Sequence, residues 1–335
     1  MATRVLVTGA GGFIGQHMVR HLNEQGYYVR GCDVRKLESA ALFAEEYFQL
    51  DLRFRNNCMK ALKGIDTVVH LAADTGGLAY TTNNRAGVAS NNALINLHML
   101  EAARRHCTKK ILFTSTACVY PAKLQSVSDC SPLREESAFP ANPEEGDGWE
   151  KLYMEKLCDY YRQDYNINTH VVRLHNVYGS LCPYHGGREK VIAAICRKIA
   201  LAKEGGMIDI WGDGEQVRSY LYIDDCVEGL RRILESDLYQ PINLDSDEAV
   251  TINEIVNFVS HIANKQVFKQ YDLSQPQGAR RRTSDISRLK EALGWAPSVK
   301  LRDGLVPTYE WIYAQVHGQK PPRETRNYHK VSEAA

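Results

Sequence analysis

The sequence predicts an α/β fold, a doubly wound parallel sheet followed by a smaller C-terminal subdomain. Three observations point there. Short apolar runs alternate with segments of helical period through the first half, as parallel strands joined by crossover helices require. A glycine-rich turn, Gly9-Ala10-Gly11-Gly12-Phe13-Ile14-Gly15, follows the first apolar run and opens the first helical segment. Beyond Tyr178 the alternation fades, and Gly/Pro-punctuated loops at 181–188, 211–218 and 275–282 separate shorter elements.

Taken in order, strands are expected at 5–8, 28–32, 67–72, 110–114 and 170–174, where β-branched and apolar residues cluster (Val5-Leu6-Val7, Val68-Val69, Ile111-Leu112-Phe113, Val171-Val172). Helices are expected at 13–24, 92–106, 150–164, 189–202, 226–235 and 253–263. The domain boundaries follow: 1–178 for the sheet domain, with segments around 219–245 returning to it, 179–317 mainly for the second unit, and 318–335 as a tail. That tail carries Pro321-Pro322 and many charges without apolar periodicity, so it is expected to be mobile or packed on the surface.

Composition removes several functions. With 41 Lys+Arg against 40 Asp+Glu, the net charge of +1 gives no electrostatic argument for a nucleic-acid or membrane partner. No apolar run approaches the ~20 residues that cross a bilayer. The first strand begins too early for a removable leader, so a cytoplasmic location is expected. Nine cysteines are scattered, with no C-x-x-C pair and no clustering with histidine, so neither a disulfide framework nor a metal site is indicated. Eight read as structural thiols; Cys118 has a second reading.

In the glycine turn, Gly9 makes the tight bend, Gly12 lets backbone amides approach a pyrophosphate and Gly15 lets helix and strand pack closely. Phe13 and Ile14 begin the helix. Asp33 ends the second strand eighteen residues beyond Gly15, as a ribose-binding acid should. Its carboxylate favours NAD over NADP by repelling a 2′-phosphate, while nearby Arg35 is a cation able to accept one. Asp51 and Leu52, closing a third strand, are within expected reach of adenine. After His70 at the end of the fourth strand, the small segment Leu71-Ala72-Ala73 lets a cofactor lie close. These segments converge at the carboxyl ends of the strands, the ligand-binding edge of a Rossmann-type sheet.

With these motifs the chain, over about residues 4 to 316, resembles the extended short-chain dehydrogenase/reductase family of nucleotide-sugar enzymes. The segments Ala72-Ala-Asp-Thr-Gly-Gly77, Thr114-Ser-Thr-Ala-Cys-Val-Tyr-Pro121, Gly186-Gly-Arg-Glu-Lys190, Trp211-Gly-Asp-Gly-Glu-Gln-Val-Arg-Ser219 and Leu293-Gly-Trp-Ala-Pro297 are similar to the branch that epimerises GDP-D-mannose at C3 and C5. The resemblance implies a nucleotide-sugar-binding role for the C-terminal subdomain. It implies a cycle in which NAD takes a hydride from C4, the resulting ketone acidifies the hydrogens at C3 and C5, and the hydride returns. The products would be GDP-L-galactose, or GDP-L-gulose from C5 inversion alone.

Inversion needs proton removal on one face and delivery on the other, and Cys118 and Lys190 match the family's acid/base pair. A thiol of ordinary pKa about 8.5 becomes a useful base if modestly depressed. Lys190, in the first turn of the helix expected at 189–202, should be tuned downward by the helix dipole. The resemblance also assigns Gly76, Ala117 and Glu189 to the sugar, with Thr116 as a hydroxyl partner. It assigns Asn176 and Lys198 to phosphates or hexose, and Gln216, Arg218 and Arg282 to the nucleotide. Forked Arg side chains suit a diphosphate; taken singly, Arg280, Arg281 and Arg282 could equally be a solvated charge run, and the sequence does not choose among the three. Family relatives pair the helices near 92–106 and 150–164 into a four-helix bundle, which implies a homodimer.

One departure stands out. Such enzymes use Tyr-x-x-x-Lys on one helix, but here the segment reads Asp147-Gly-Trp-Glu-Lys151. None of the eighteen tyrosines has lysine four residues later. Aspartate is shorter than tyrosine by roughly 3 to 4 Å, and beside Lys151 it is expected to stay ionised, a poor base for an alcohol. Impaired C4 oxidation in an otherwise complete scaffold is therefore expected. The alternatives are an NAD-dependent C4 epimerase of another nucleotide sugar, which needs no Cys118–Lys190 pair, or a ligand-binding pseudoenzyme. A dehydratase would be expected to carry an Asp-Glu pair where this chain has Ala117-Cys118.

Overall fold

In a computed structural model of the protein, described over residues 2–36 and 43–320, six strands come first: β1 (Arg4–Thr8), β2 (Tyr28–Asp33), β3 (Glu46–Gln49), β4 (Thr67–His70), β5 (Lys110–Thr116) and β6 (Asn168–Leu174). They are linked by α1 (Phe13–Glu24), α2 (Arg55–Leu62), α3 (Leu78–Asn83), α4 (Arg85–Arg105) and α5 (Asp147–Tyr165). The chain then forms β7 (Val177–Tyr178), α6 (Val191–Leu201), β8 (Gly206–Trp211), β9 (Val217–Ser219), β10 (Leu221–Tyr222) and α7 (Ile223–Glu235). After α7 it returns β11 (Ile242–Leu244) to the edge of the central sheet, whose order is β11-β6-β5-β4-β1-β2-β3. Every pairing in that sheet is parallel. Because β1 lies between β2 and β4, the winding reverses there and opens a crevice at the strands' carboxyl ends.

Alternation along the strands sends successive side chains to opposite faces. Val5 and Val7 of β1 join Met18, Leu22, Leu230 and Ile233 of α1 and α7 on one side. Leu6 joins Leu62, Met99, Ala103, Met154 and Cys158 of α2, α4 and α5 on the other. Each such aliphatic side chain withdrawn from water contributes roughly 1.5 to 3 kcal/mol.

The second unit adds β12 (Ala249–Thr251), α8 (Ile252–Ile262), β13 (Val267–Asp272), β14 (Arg281–Arg282), α9 (Ser287–Leu293) and α10 (Leu301–Val316). Ile195, Ile199, Ile255, Val259, Leu305 and Ile312 form its own core. β9 is central in a small sheet of order β12-β9-β14, and β8 pairs in parallel with β13.

Several boundaries differ from the sequence reading. The strand expected to end at Ala72 stops at His70, and the one expected to end at Thr114 runs to Thr116. α4 starts at Arg85 rather than near Asn92; its first two turns bury Val88 alone among their residues and so carry no apolar period to read. α10 contains Pro307, a residue that argues against a helix when read locally. Much of the expected tail, from 321 onward, lies outside the described residues. No helix among the described residues is long and apolar enough to cross a membrane.

Candidate active site

At the cofactor end, Gly9 has φ +66°, and an added Cβ would sit 2.9 Å from Ala72 N and from the Leu71 carbonyl. At Gly15 the same atom would come within 2.0 Å of the Gly9 carbonyl oxygen. Gly12 caps α1 without a side chain, and the first turn holds no acidic residue, so its N–H groups are available to an anion. Phe13 and Ile14 turn back onto the core. The buried Asp33 carboxylate accepts from Gly11 N (3.0 Å) and from Arg35 N (2.9 Å), and the largely exposed Arg35 guanidinium lies beside it at 3.3 Å. An uncapped helix start, a turn with no room for side chains and a buried carboxylate fit a dinucleotide.

Beneath this turn runs a directed chain of buried polar groups that sequence reasoning missed. Thr8 Oγ1 accepts from Leu71 N and Ala72 N, each at 3.1 Å, which holds the Leu71-Ala72-Ala73 segment at the end of β4. It lies 2.7 Å from His70 Nδ1, whose other nitrogen is 2.9 Å from Asn96 Oδ1; Asn96 Nδ2 donates to Glu150 at 2.6 Å. Burial, reinforced by the Lys151 charge, lowers His70 to about 3, so the ring stays neutral. Lys151 itself is buried, donates to the Thr114 carbonyl at 3.0 Å and lies 4.5 Å over the Phe113 ring. Asp51 lies just beyond β3 and is gripped by the Arg53 fork at 2.6 to 3.1 Å, while Leu52 is buried.

At the chemistry end, β5 runs into a short 3₁₀ turn, Ala117–Val119. Ala117 is buried, and Thr116 Oγ1 accepts from Cys118 N at 3.3 Å. The Cys118 carbonyl accepts from Glu144 N at 2.8 Å, and a Cβ on Gly148 would meet that same carbonyl at 2.5 Å. The thiol turn and the start of α5 are thereby locked together. Arg282 donates Nε to Gln125 (2.5 Å), lies 3.8 Å from Cys118 Sγ and pairs with the Glu144 carboxylate. Of the three consecutive arginines it is the one that reaches the thiol; Arg280 is held by Asp213 at 2.7 Å.

Two electrostatic expectations need correction. Cys118 is not depressed: burial, with Glu144 and Asp147 adding to it, pushes the thiol up to about 12 despite Arg282. Asp147 is not held down by Lys151. Burial and the Glu144 carboxylate outweigh the pull of Lys151 and Arg282, and its carboxyl is raised.

Lys190 is lowered, as expected, but the largest cause is burial rather than a helix end. It is the N-cap of α6 rather than a residue of the first turn. Its surface is open to water while protein surrounds it, as on the wall of a cleft. Cys118 and Asp147 each pull its pKa upward through their charge.

The nucleotide candidates gather on the second unit. Arg218 and Arg282 are register partners on β9 and β14. Burial first, then the Arg282 charge, lowers Arg218 to about 10. The Arg218 guanidinium donates to the Val217 carbonyl at 2.7 Å and to the Ala279 carbonyl, so this pair of cations in register is met by backbone carbonyls and by Glu144. A cavity of about 540 Å³ runs beside them, lined among others by Arg85, Gln125, Glu144, Asp147, Gln216 and Arg280. Gln216 is buried and donates to the Trp211 carbonyl at 3.2 Å.

The remaining candidates serve connections. Asn176 donates to Ser219 O at 3.1 Å, and Lys198 to Asp209 O at 2.6 Å. Glu189 accepts from Gly187 N at 2.7 Å. Gly76 lies under the Tyr80 ring, where a Cβ would be 2.8 Å away. Glu144 escapes sequence reasoning because its role is tertiary; the only local signal is an acidic run just before α5.

The NAD dependent epimerase/dehydratase family model matches residues 5–244. GDP-mannose 3,5-epimerase 1 of Oryza sativa subsp. japonica is 41% identical over 319 residues, 95% of this chain and 83% of that protein. Among solved structures, the UDP-glucose 4-epimerase of Thermotoga maritima with UDP-glucose superposes with a TM-score of 0.85 at 27% identity, covering 94% of this chain and all of that one. The Thermus thermophilus UDP-glucose 4-epimerase in complex with NAD gives 0.80 at 27% identity over 92% of this chain and 99% of that one.

Proposed function

Because the chain belongs to the NAD dependent epimerase/dehydratase family, we propose that it epimerises GDP-D-mannose at C3 and C5 to GDP-L-galactose, or at C5 alone to GDP-L-gulose. The observation that carries this reading is the register pair of Arg218 and Arg282, with the Cys118 sulfur 3.8 Å from the second guanidinium. A diphosphate satisfies the two cations, and the attached hexose then lies against the thiol. The 41% identity to the rice enzyme supports guanosine as the base.

The Gly9–Gly15 turn, the start of α1 and Asp33 would hold NAD, which would supply the hydride acceptor and donor for C4. The chain's own groups do the rest. Lys151 lies across the end of β5 and orients the reacting end of the crevice. Once C4 is a ketone, the hydrogens at C3 and C5 are acidic, and Cys118 with Lys190 takes a proton from one face and returns one to the other. Lys190 feels the Cys118 charge, which raises its pKa against the larger lowering by burial. Thr116 holds the Cys118 turn, while Gly76 and Glu189 border the sugar.

Asp147 is the weak member. It starts α5 where the family's tyrosine would transfer the C4 hydroxyl proton, and it is too short to reach that hydroxyl directly. Loss of a positioned acid/base group costs ~10²- to 10⁴-fold in rate, so oxidation at C4 is slow. This same residue favours a second reading, a protein that binds NAD and GDP-sugar without turnover. The reading has the chain working in the cytoplasm as a homodimer. Exposed Leu94 on α4 and Trp149, Tyr153 and Tyr160 on α5 supply an apolar face for a four-helix bundle.

The test is D147Y. With GDP-mannose and NAD, the variant should form epimers ~10²- to 10⁴-fold faster than the parent. Equal rates would overturn the assignment of Asp147 as the limiting residue.

A further inference from the structure

Lys190 follows a surface segment whose Arg188 has no part in the proposed reaction. Arg188, two residues before it, reaches across the mouth of the crevice from the second unit to the sheet domain. Its guanidinium donates to Asp74 Oδ1 (3.1 Å), to the Thr75 carbonyl (3.0 Å) and to the Tyr80 hydroxyl (2.5 Å), and it lies 3.9 Å over the Tyr80 ring. The receiving side is braced from behind. Asn91 donates to Asp74 Oδ2 at 2.9 Å, Asn92 exchanges two hydrogen bonds with the Asp74 backbone at 2.6 and 3.1 Å, and Tyr80 donates to Asp74 Oδ1 at 2.8 Å.

A second contact lies one residue nearer the lysine. The Glu189 carbonyl sits where a Cβ on Gly77 would be, 2.5 Å away. The backbone entering Lys190 is therefore pressed onto the sheet domain's glycine loop. On its other side, Gly186 and Gly187 have φ of +87° and +81° and no neighbour that a Cβ would touch, so what holds that flank is local, the Gly187 N–H donating to the Glu189 carboxylate at 2.7 Å.

We propose that Arg188 is a positioning residue. By forking onto Asp74, Thr75 and Tyr80 it holds the Glu189–Lys190 backbone against Gly77, and so fixes where the Lys190 ammonium meets the sugar opposite Cys118. Its side chain is 48% exposed, so simple charge attraction contributes little there. The planar three-acceptor fork stacked on the tyrosine ring supplies the geometry, which a point-charge lysine does not reproduce. This inference rests on the epimerase reading for its catalytic consequence, but not for its structural one.

Both consequences are measurable in the intact chain. Reductive ¹³C-methylation makes each lysine visible by NMR, and the Lys190 signal is assigned by its loss in K190R. In R188A, Lys190 gains water and its titration moves up toward the ordinary lysine value. R188K gives only partial return to parental behaviour, and Y80F, which keeps the ring but loses one acceptor, gives a smaller shift. In parallel, solvent deuterium exchange into a supplied GDP-4-keto-hexose should fall roughly 10- to 100-fold in kcat in R188A, with KM and NAD affinity little changed. An unmoved Lys190 titration in R188A and Y80F overturns the proposal, as does a loss confined to KM, which would make Arg188 a direct substrate ligand. If the parent chain exchanges no hydrogen at all, the epimerase reading fails, and the Lys190 titration still decides the latch.

Discussion

The glycines of the cofactor end and those of the chemistry end do opposite work. At Gly15 a methyl group would meet a carbonyl oxygen at 2.0 Å, whereas one on Gly186 or Gly187 would meet nothing within 4 Å. The first region is filled and hydrogen-bonded within itself; Asp33 is satisfied by backbone and Arg35, and Thr8 through Glu150 form a continuous chain. The second region leaves charges facing one another: Arg218 beside Arg282, and Glu144 and Asp147 beside Cys118. The contrast teaches that the cofactor end is held by contacts within the turn and strands, whereas at the other end the Arg218–Arg282 pair of cations is balanced by the Glu144 carboxylate.

The largest expected effect breaks the filled side. G15A forces helix and strand apart, at a cost of about 3 kcal/mol or more, and NAD binding by calorimetry should fall at least ~100-fold, or the thermal midpoint should collapse. G186A, in open space, costs only backbone strain of about 1 kcal/mol and should leave NAD binding intact. Equal effects from the two would erase the contrast.

A smaller change sharpens the other side. Glu144 occupies Arg282 and also raises the Cys118 and Asp147 pKa values. E144Q removes that competitor, so GDP should bind more tightly by about 1 kcal/mol, roughly fivefold. Weaker binding would mean that Glu144 supports the anion site instead of blocking it.

This contrast also explains what the sequence could reveal. Gly9, Gly12, Gly15 and Asp33 are legible because the demands of a tight turn are local and have few solutions. The alternating core of β1, β4, β5 and β6 is legible through its period. Asp147 is visible as a gap in a spaced pair, but its raised pKa is not, since that follows from burial and from Glu144. The upward shift of Cys118 escapes for the same reason. Arg188 stands in a recognisable segment without an evident role, because Asp74 and Tyr80 meet it only after two domains fold together. The true start of α4 and the whole of α10 stay hidden in the sequence, where first turns with a lone buried Val88 and a helix containing Pro307 mask the helical period.

The central claim is that the proton-transfer pair is intact although the oxidising step is crippled. Supplying a GDP-4-keto-hexose in deuterated water bypasses C4 oxidation and tests the pair alone. The parent chain should exchange hydrogen at C3 and C5. Because the Cys118 thiol is raised to about 12 and Lys190 is lowered, the base form is scarce at neutral pH. The rate should therefore climb with pH to an inflection below the ordinary lysine value of 10.5. C118A and K190A should each lose ~10²- to 10⁴-fold; exchange by the parent no faster than by these two variants would contradict the account.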